Sequence, residues 1–164
     1  MKILVLGVGN PGRRDDGLGY ALIDKINRGQ VPISPEIGTC PPFLIAEWKY
    51  QLNIEDAHAI KEADLVLFVD AAKEGDSPAV LTEARPAVEI SFSTHALKPA
   101  AVLALSEELY GRAPKAFLLA VRGYDFDLGE GLSPRAAANL EAAVSLFSDL
   151  LASFSGRPPE TAGT

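Results

Sequence analysis

A single cysteine, Cys40, is all the thiol chemistry this chain possesses. No internal disulfide can form, so stability has to come from a hydrophobic core, and nothing indicates an oxidising compartment. Lysine and arginine form no block, and the formal net charge is -7. A nucleic-acid groove needs clustered positive charge, so nucleic acid is not an expected partner. No run approaches the ~20 apolar residues of a membrane helix. The opening MKILVLG has one positive charge and a short apolar stretch, but glycine, asparagine and proline follow it and no cleavage site does. It reads as a first strand rather than a signal peptide. The expectation is a cytoplasmic protein with no membrane association. Histidine is nearly as scarce as cysteine, with only His58 and His95.

What is present suits one compact domain. The chain has 164 residues, 48% of them hydrophobic, enough for a core without crosslinks. The expected domain covers residues 1–155. A Pro/Gly/Thr-rich tail over 156–164 is expected to be disordered.

Strand and helix signals alternate. Lys2–Gly7 is a short apolar run ending in glycine, as in a buried parallel strand. Leu18, Leu22 and Ile26 recur at helical spacing and predict a helix from about Asp16 to Asn27. Gly29–Pro42 is rich in Pro and Gly and predicts an irregular connection. Phe43–Lys49 follows as a second strand, then a helix over Asn53–Ala63 with Asn53 as its N-cap. Asp64–Asp70, DLVLFVD, is the clearest central strand. Ala79–Glu83 reads as an edge strand followed by loop as far as His95. Pro99 suits a first helical turn, with Val102, Leu105 and Leu109 as the apolar stripe. Ala116–Val121 is another buried strand. Ser133 and Pro134 then open a long helix whose face runs through Leu140, Val144, Phe147 and Leu151 to about Ser153. This alternation predicts an α/β fold, a three-layer α/β/α sandwich on a mostly parallel twisted sheet of about five strands.

The turn after the first strand admits three readings. GVGNPG, residues 7–12, satisfies the dinucleotide G-x-G-x-x-G spacing, but Asp15 and Asp16 bring negative charge to where a pyrophosphate would lie. KILVLGVGNPG also resembles the first strand and loop of peptidyl-tRNA hydrolases. Those enzymes place a histidine soon after the turn, whereas no histidine precedes His58 here.

The longer run GNPGRRDDGLG resembles the signature of [NiFe]-hydrogenase maturation proteases: Gly-Asn, four residues, two acidic residues, two more residues and Gly. Further likeness lies in LVLFVDAA, FSTHAL, Gln51–Leu52, LYGRAPKAFLLAV and GEGLSP, spanning about residues 2–150. Many members have an Asp-Gly-Gly-Thr stretch after the second strand, where this chain has Gly38–Thr39–Cys40 in its proline-rich connection. The resemblance implies a phosphorylase/hydrolase-like sandwich and an endopeptidase that removes the C-terminal extension from a hydrogenase large-subunit precursor. It implies a metal-ligand set of Asp16, Asp70 and His95, engaging nickel that the substrate carries, with another divalent metal as an occupant in isolation. It also implies a monomer. The alternatives are a peptidyl-tRNA hydrolase-like enzyme and a non-catalytic chaperone for the same precursor.

Each residue has a plainer role to weigh. Asp16 is open between helix cap and metal ligand, and Asp15 reads as a cap or a partner behind the ligand. Asp70 ends a central strand, where open α/β sheets bind ligands, although pairing with a nearby Lys or Arg is the structural alternative. His95 takes its interest from the two carboxylates, and His58 belongs to a solvated helix face. Cys40 with His95 as base has no local support, and Glu130 and Ser133 flank a helix start. Asp16 and Asp70 are the candidates for the catalytic base, with the metal as the other means of activating water.

Overall fold

The structure is a computed structural model and describes residues 1–33, 43–88 and 96–154. Strand β1 (Lys2–Val8) leads through a 3₁₀ turn (Arg14–Gly17) into α1 (Leu18–Asn27). Then come β2 (Phe43–Lys49), α2 (Glu55–Ile60), β3 (Leu65–Ala72), β4 (Ala79–Ala84), α3 (Pro99–Tyr110), β5 (Lys115–Arg122) and α4 (Pro134–Ser153). Among the described residues the sheet has five strands in the order β2-β1-β3-β5-β4. All neighbours are parallel except β4, which pairs antiparallel with β5 at the edge. No helix among the described residues is long and apolar enough to cross a membrane.

The period-2 alternation of the strands divides the core. Ile3, Val5, Leu65, Leu67, Val69, Leu119 and Val121 face α1 and α4. Leu4, Leu6, Val66, Phe68 and Ala116 face α2 and α3. Strands β1 and β3 are covered on both faces, and so read as continuous apolar runs rather than alternating ones. At ~1.5–3 kcal/mol for each large side chain taken out of water, fully buried residues such as Phe68, Phe147 and Leu119 supply the main stabilisation.

Several expectations need adjustment. Helix α1 starts at Leu18 rather than Asp16, because the two aspartates are taken into the 3₁₀ turn. Helix α2 is shorter than the expected Asn53–Ala63, and Asn53 is not its side-chain cap. Instead the Asp56 carboxylate reaches back and accepts from the Asn53 N–H at 2.7 Å. Asp56 is 2% exposed and is paired with Lys49 at 3.0 Å. Strand β3 continues to Ala72, so Asp70 still has two paired residues beyond it. Helix α4 opens as read, with the Ser133 hydroxyl accepting from the Ala136 N–H at 3.3 Å. The expected tail at 156–164, most of the connection before Pro42, Cys40 and His95 lie outside the described residues.

Helix α1 sits unusually close to the sheet because two glycines meet there. A Cβ on Gly7 would lie 2.5 Å from the Gly19 carbonyl oxygen, and one on Gly19 would lie 2.6 Å from that of Val8. Backbone on both sides leaves nothing flexible to yield. Gly19→Ala is therefore expected to lower unfolding free energy by about 3 kcal/mol in denaturant titrations, whereas Gly29→Ala, with open space around it, tests only the left-handed backbone.

Candidate functional site

The site is built on the turn that leaves β1. Gly9 has φ 132°, and a Cβ there would stand 2.0 Å from the Asp16 carbonyl oxygen, so glycine is required. Its N–H donates to the Lys49 carbonyl at 3.0 Å, and its own carbonyl accepts from the Trp48 indole N–H at 2.8 Å. The Asn10 side chain accepts from the Gly12 N–H at 2.9 Å and closes the turn. Arg14 follows with φ 47°, a left-handed conformation uncommon for a side chain of this size. It is held by its N–H to the Gly129 carbonyl at 3.0 Å and by a 3.5 Å ion pair with Asp125.

Asp15 is the residue that turns this loop inward. Its carboxylate is fully buried and accepts four hydrogen bonds. The donors are the Tyr124 and Asp125 N–H groups at 2.8 and 2.9 Å, and the Ser133 N–H and hydroxyl at 2.7 Å each. Burial alone pushes the Asp15 carboxyl up. The donors from Asp125, Ser133 and Tyr124 outweigh that and hold it below its ordinary value. Asp15 is thus a structural anion, neither a cap of α1 nor a ligand. The Ser133 hydroxyl donates to Asp15 while accepting from Ala136, so the cap of α4 and the anchor of the turn are one arrangement.

Asp16 points elsewhere. Its carboxylate accepts the Asn10 N–H at 2.8 Å and makes no cap bond to α1. It lines a cavity of about 390 Å³ together with Asp70, Gly9, Tyr50, Gln51 and Lys98. Asp70 accepts the N–H of Ala71 at 2.8 Å, and among the described residues no Lys or Arg is ion-paired with it. Burial, with the charge of Asp16 adding to it, pushes the Asp70 carboxyl up to about 6 in spite of that hydrogen bond. Two carboxylates on one cavity, one of them poorly solvated, form a place where positive charge is favoured.

Asp16 and Asp70, which the sequence singled out, come together on this cavity. His95 lies outside the described residues, although its neighbour Ala96 lines the same cavity. Among the described residues no three His, Cys, Asp or Glu side chains are grouped to hold a metal ion. His58 packs against Tyr110 of α3, with ring centroids 5.6 Å apart, and does not line the cavity. Trp48 and Tyr50 also border the site, although neither belongs to a sequence motif. The only tryptophan in the chain sits at the end of a strand beside a glycine turn, and that was the available signal.

Two measurements follow. Asp15→Asn replaces an acceptor with an amide that meets N–H donors, and should cost about 3 kcal/mol in stability. Because the folded value is depressed, the contribution of Asp15 is complete at neutral pH and is lost as the pH falls through that value. Asp70 behaves oppositely. Its folded value lies above its ordinary one, so stability should decline as pH rises from about 4 to about 6. Asp70→Asn should abolish that slope and raise stability at pH 7 and above by about 3 kcal/mol, read from denaturant midpoints across pH.

No protein-family profile matches the chain, and no curated protein sequence matches it. Solved structures do. The hydrogenase maturating endopeptidase HybD from E. coli superposes with a TM-score of 0.71 at 23% identity, covering 95% of this chain and 94% of that one. The [NiFe] hydrogenase maturation protease HycI from Thermococcus kodakarensis KOD1 gives 0.64 at 22% identity, covering 92% of both chains. The solution structure of an endopeptidase from Escherichia coli gives 0.70 at 24% identity, covering 95% and 94%. Over nearly its whole length, this chain has the fold of the hydrogenase maturation endopeptidases.

Proposed function

We infer that this protein is a [NiFe]-hydrogenase maturation endopeptidase that removes the C-terminal extension from the nickel-loaded precursor of a large subunit. The observation that carries the reading is the meeting of Asp16 and Asp70 on one cavity, in a fold shared with structures named as hydrogenase maturation proteases. Under this reading the protein acts as a cytoplasmic monomer.

The donor set suits a divalent cation. Two carboxylates supply hard oxygen ligands, and His95, next in sequence to Ala96, is proposed as the nitrogen donor. The nickel belongs to the substrate, and another divalent ion is proposed to occupy the site in isolation. Burial next to Asp16 makes the charged form of Asp70 costly without a cation, which supports a site that engages metal as the substrate arrives. A bound divalent ion supplies Lewis acidity toward a carbonyl or a water. The part of Asp16 is to present a carboxylate whose direction is set by the Asn10 N–H. Asp16 and Asp70 are the candidates for the base that takes a proton from water, with the metal as the other means of activating it.

Purified protein incubated with the nickel-loaded precursor should shorten the large subunit, seen as a mass loss. Asp16→Ala, Asp70→Ala and His95→Ala should each slow processing about a hundredfold or more while leaving the thermal unfolding transition cooperative. Normal processing by any two of them would remove the assignment. Tight precursor binding with no shortening by the wild-type protein would make it a chaperone instead.

A further inference from the structure

Beside the carboxylate cavity lies a second concavity of about 680 Å³, lined in part by Asn10, Pro11 and Gly12 of the turn. Its walls are aromatic and apolar: Tyr20 from α1, Trp48 and Tyr50 at the end of β2, Pro11 from the turn and Leu132 ahead of α4. The three rings form a row. Tyr20 meets Trp48 at a centroid distance of 5.3 Å and an interplanar angle of 81°, and Trp48 meets Tyr50 at 4.6 Å and 63°. Tyr20 is 39% exposed and Tyr50 65%, so both offer ring surface to a partner. Tyr50 lines both concavities, and Asn10, on the groove, donates its N–H to Asp16, on the cavity. The two concavities therefore adjoin at Tyr50 and at the turn.

We propose that this aromatic groove binds the extended polypeptide segment of the substrate that adjoins the cleaved bond, and so selects the substrate by an apolar or proline-containing stretch. The proposal rests on the peptidase reading above. A cavity of about 390 Å³ is near the lower end for a small-molecule site. A polypeptide brought to Asp16 and Asp70 must run on beyond it, and the groove that shares Tyr50 is the continuation.

The wall chemistry selects the occupant. Rings set at steep angles to one another leave slots for aliphatic side chains or prolines, the mode by which aromatic-lined grooves take extended chains at low entropic cost. The charged groups on the groove are Arg14 and Glu130, and the Arg14 guanidinium is already paired with Asp125. A phosphorylated or nucleic-acid ligand would meet no free cluster of positive charge in such a groove. Trp48 also joins the groove to the turn, since its indole N–H holds the Gly9 carbonyl.

The test uses the full chain and a synthetic peptide reproducing the last twenty or so residues of a [NiFe]-hydrogenase large-subunit precursor. Trp48 is the only tryptophan, so its emission reports occupancy without a label. The peptide should shift Trp48 emission saturably. In processing assays Tyr20→Ala should raise KM about tenfold with kcat nearly unchanged, and Tyr20→Phe, which keeps the ring, should restore it. Tyr20 is a surface residue, and matching thermal transitions would show that the variants are folded.

Wild-type processing with unchanged Trp48 emission and a wild-type KM for Tyr20→Ala would overturn the groove and leave the peptidase reading standing. A saturable peptide shift lost in Tyr20→Ala, in a protein that never shortens the precursor, would uphold the groove and end the peptidase reading. An emission change that depends on protein concentration without peptide would assign the groove to a second copy of this chain and overturn the proposal.

Discussion

The buried carboxylate of Asp15 organises one end of the molecule. Four donors from residues 124–133 converge on it, and none is near it in sequence. A carboxylate removed from water is tolerable only when it is fully hydrogen-bonded, so the loop after β5, the start of α4 and the turn after β1 have to assemble together. The adjacent features follow from this. Gly123 must lack a side chain, since its Cβ would lie 2.8 Å from that of Asp15. Arg14 is held in a left-handed conformation between Gly129 and Asp125. Asp16, one residue on, is left facing the cavity.

Three aspartates thus do different work through their surroundings. Asp15 is buried and saturated with donors, which hold its carboxyl below the ordinary value. Asp70 is mostly buried with one backbone donor and a like charge nearby, which puts it near 6. Asp16 is half-buried and tied to one backbone amide. The first arrangement contributes stability, and the second takes it away at neutral pH. Unfavourable placement of a charge at the mouth of a cleft is common where function requires it. Under the proposed function, the incoming cation relieves the strain between Asp16 and Asp70.

The glycines have separate duties as well. Gly7 and Gly19 bring α1 down onto the sheet, and Gly9 lets the turn pass over Asp16. Neither duty involves a phosphate, so the G-x-G-x-x-G spacing of residues 7–12 marks a tight strand-to-helix passage here. The close seating of α1 also carries Tyr20 to the edge of Trp48, which connects helix packing with the shape of the aromatic groove.

Much of the fold was legible because it rests on local periodicity. The runs in β1, β3 and β5 are apolar without interruption, and the Ser133–Pro134 opening of α4 is a local signal. These determine the alternation of strands and helices, and place Asp70 near the end of a central strand. Helix α2 stops short of the expected Asn53–Ala63 because the chain turns after Ile60, where the Ala63 N–H donates back to the Ile60 carbonyl. The neighbouring aspartates were separated only by the family signature, not by any local pattern. Asp15 and Asp16 are the same residue type in a turn without any period, and what separates them is that Asp15 meets donors more than a hundred residues away while Asp16 meets only the nearby Asn10 N–H. By itself the sequence determined the elements and the acidic composition of the site. Only the tertiary structure decided which carboxylate is buried as an anchor, which two share a cavity, and that three aromatic rings line the cleft beside them, because burial and charge proximity are properties of the packed chain.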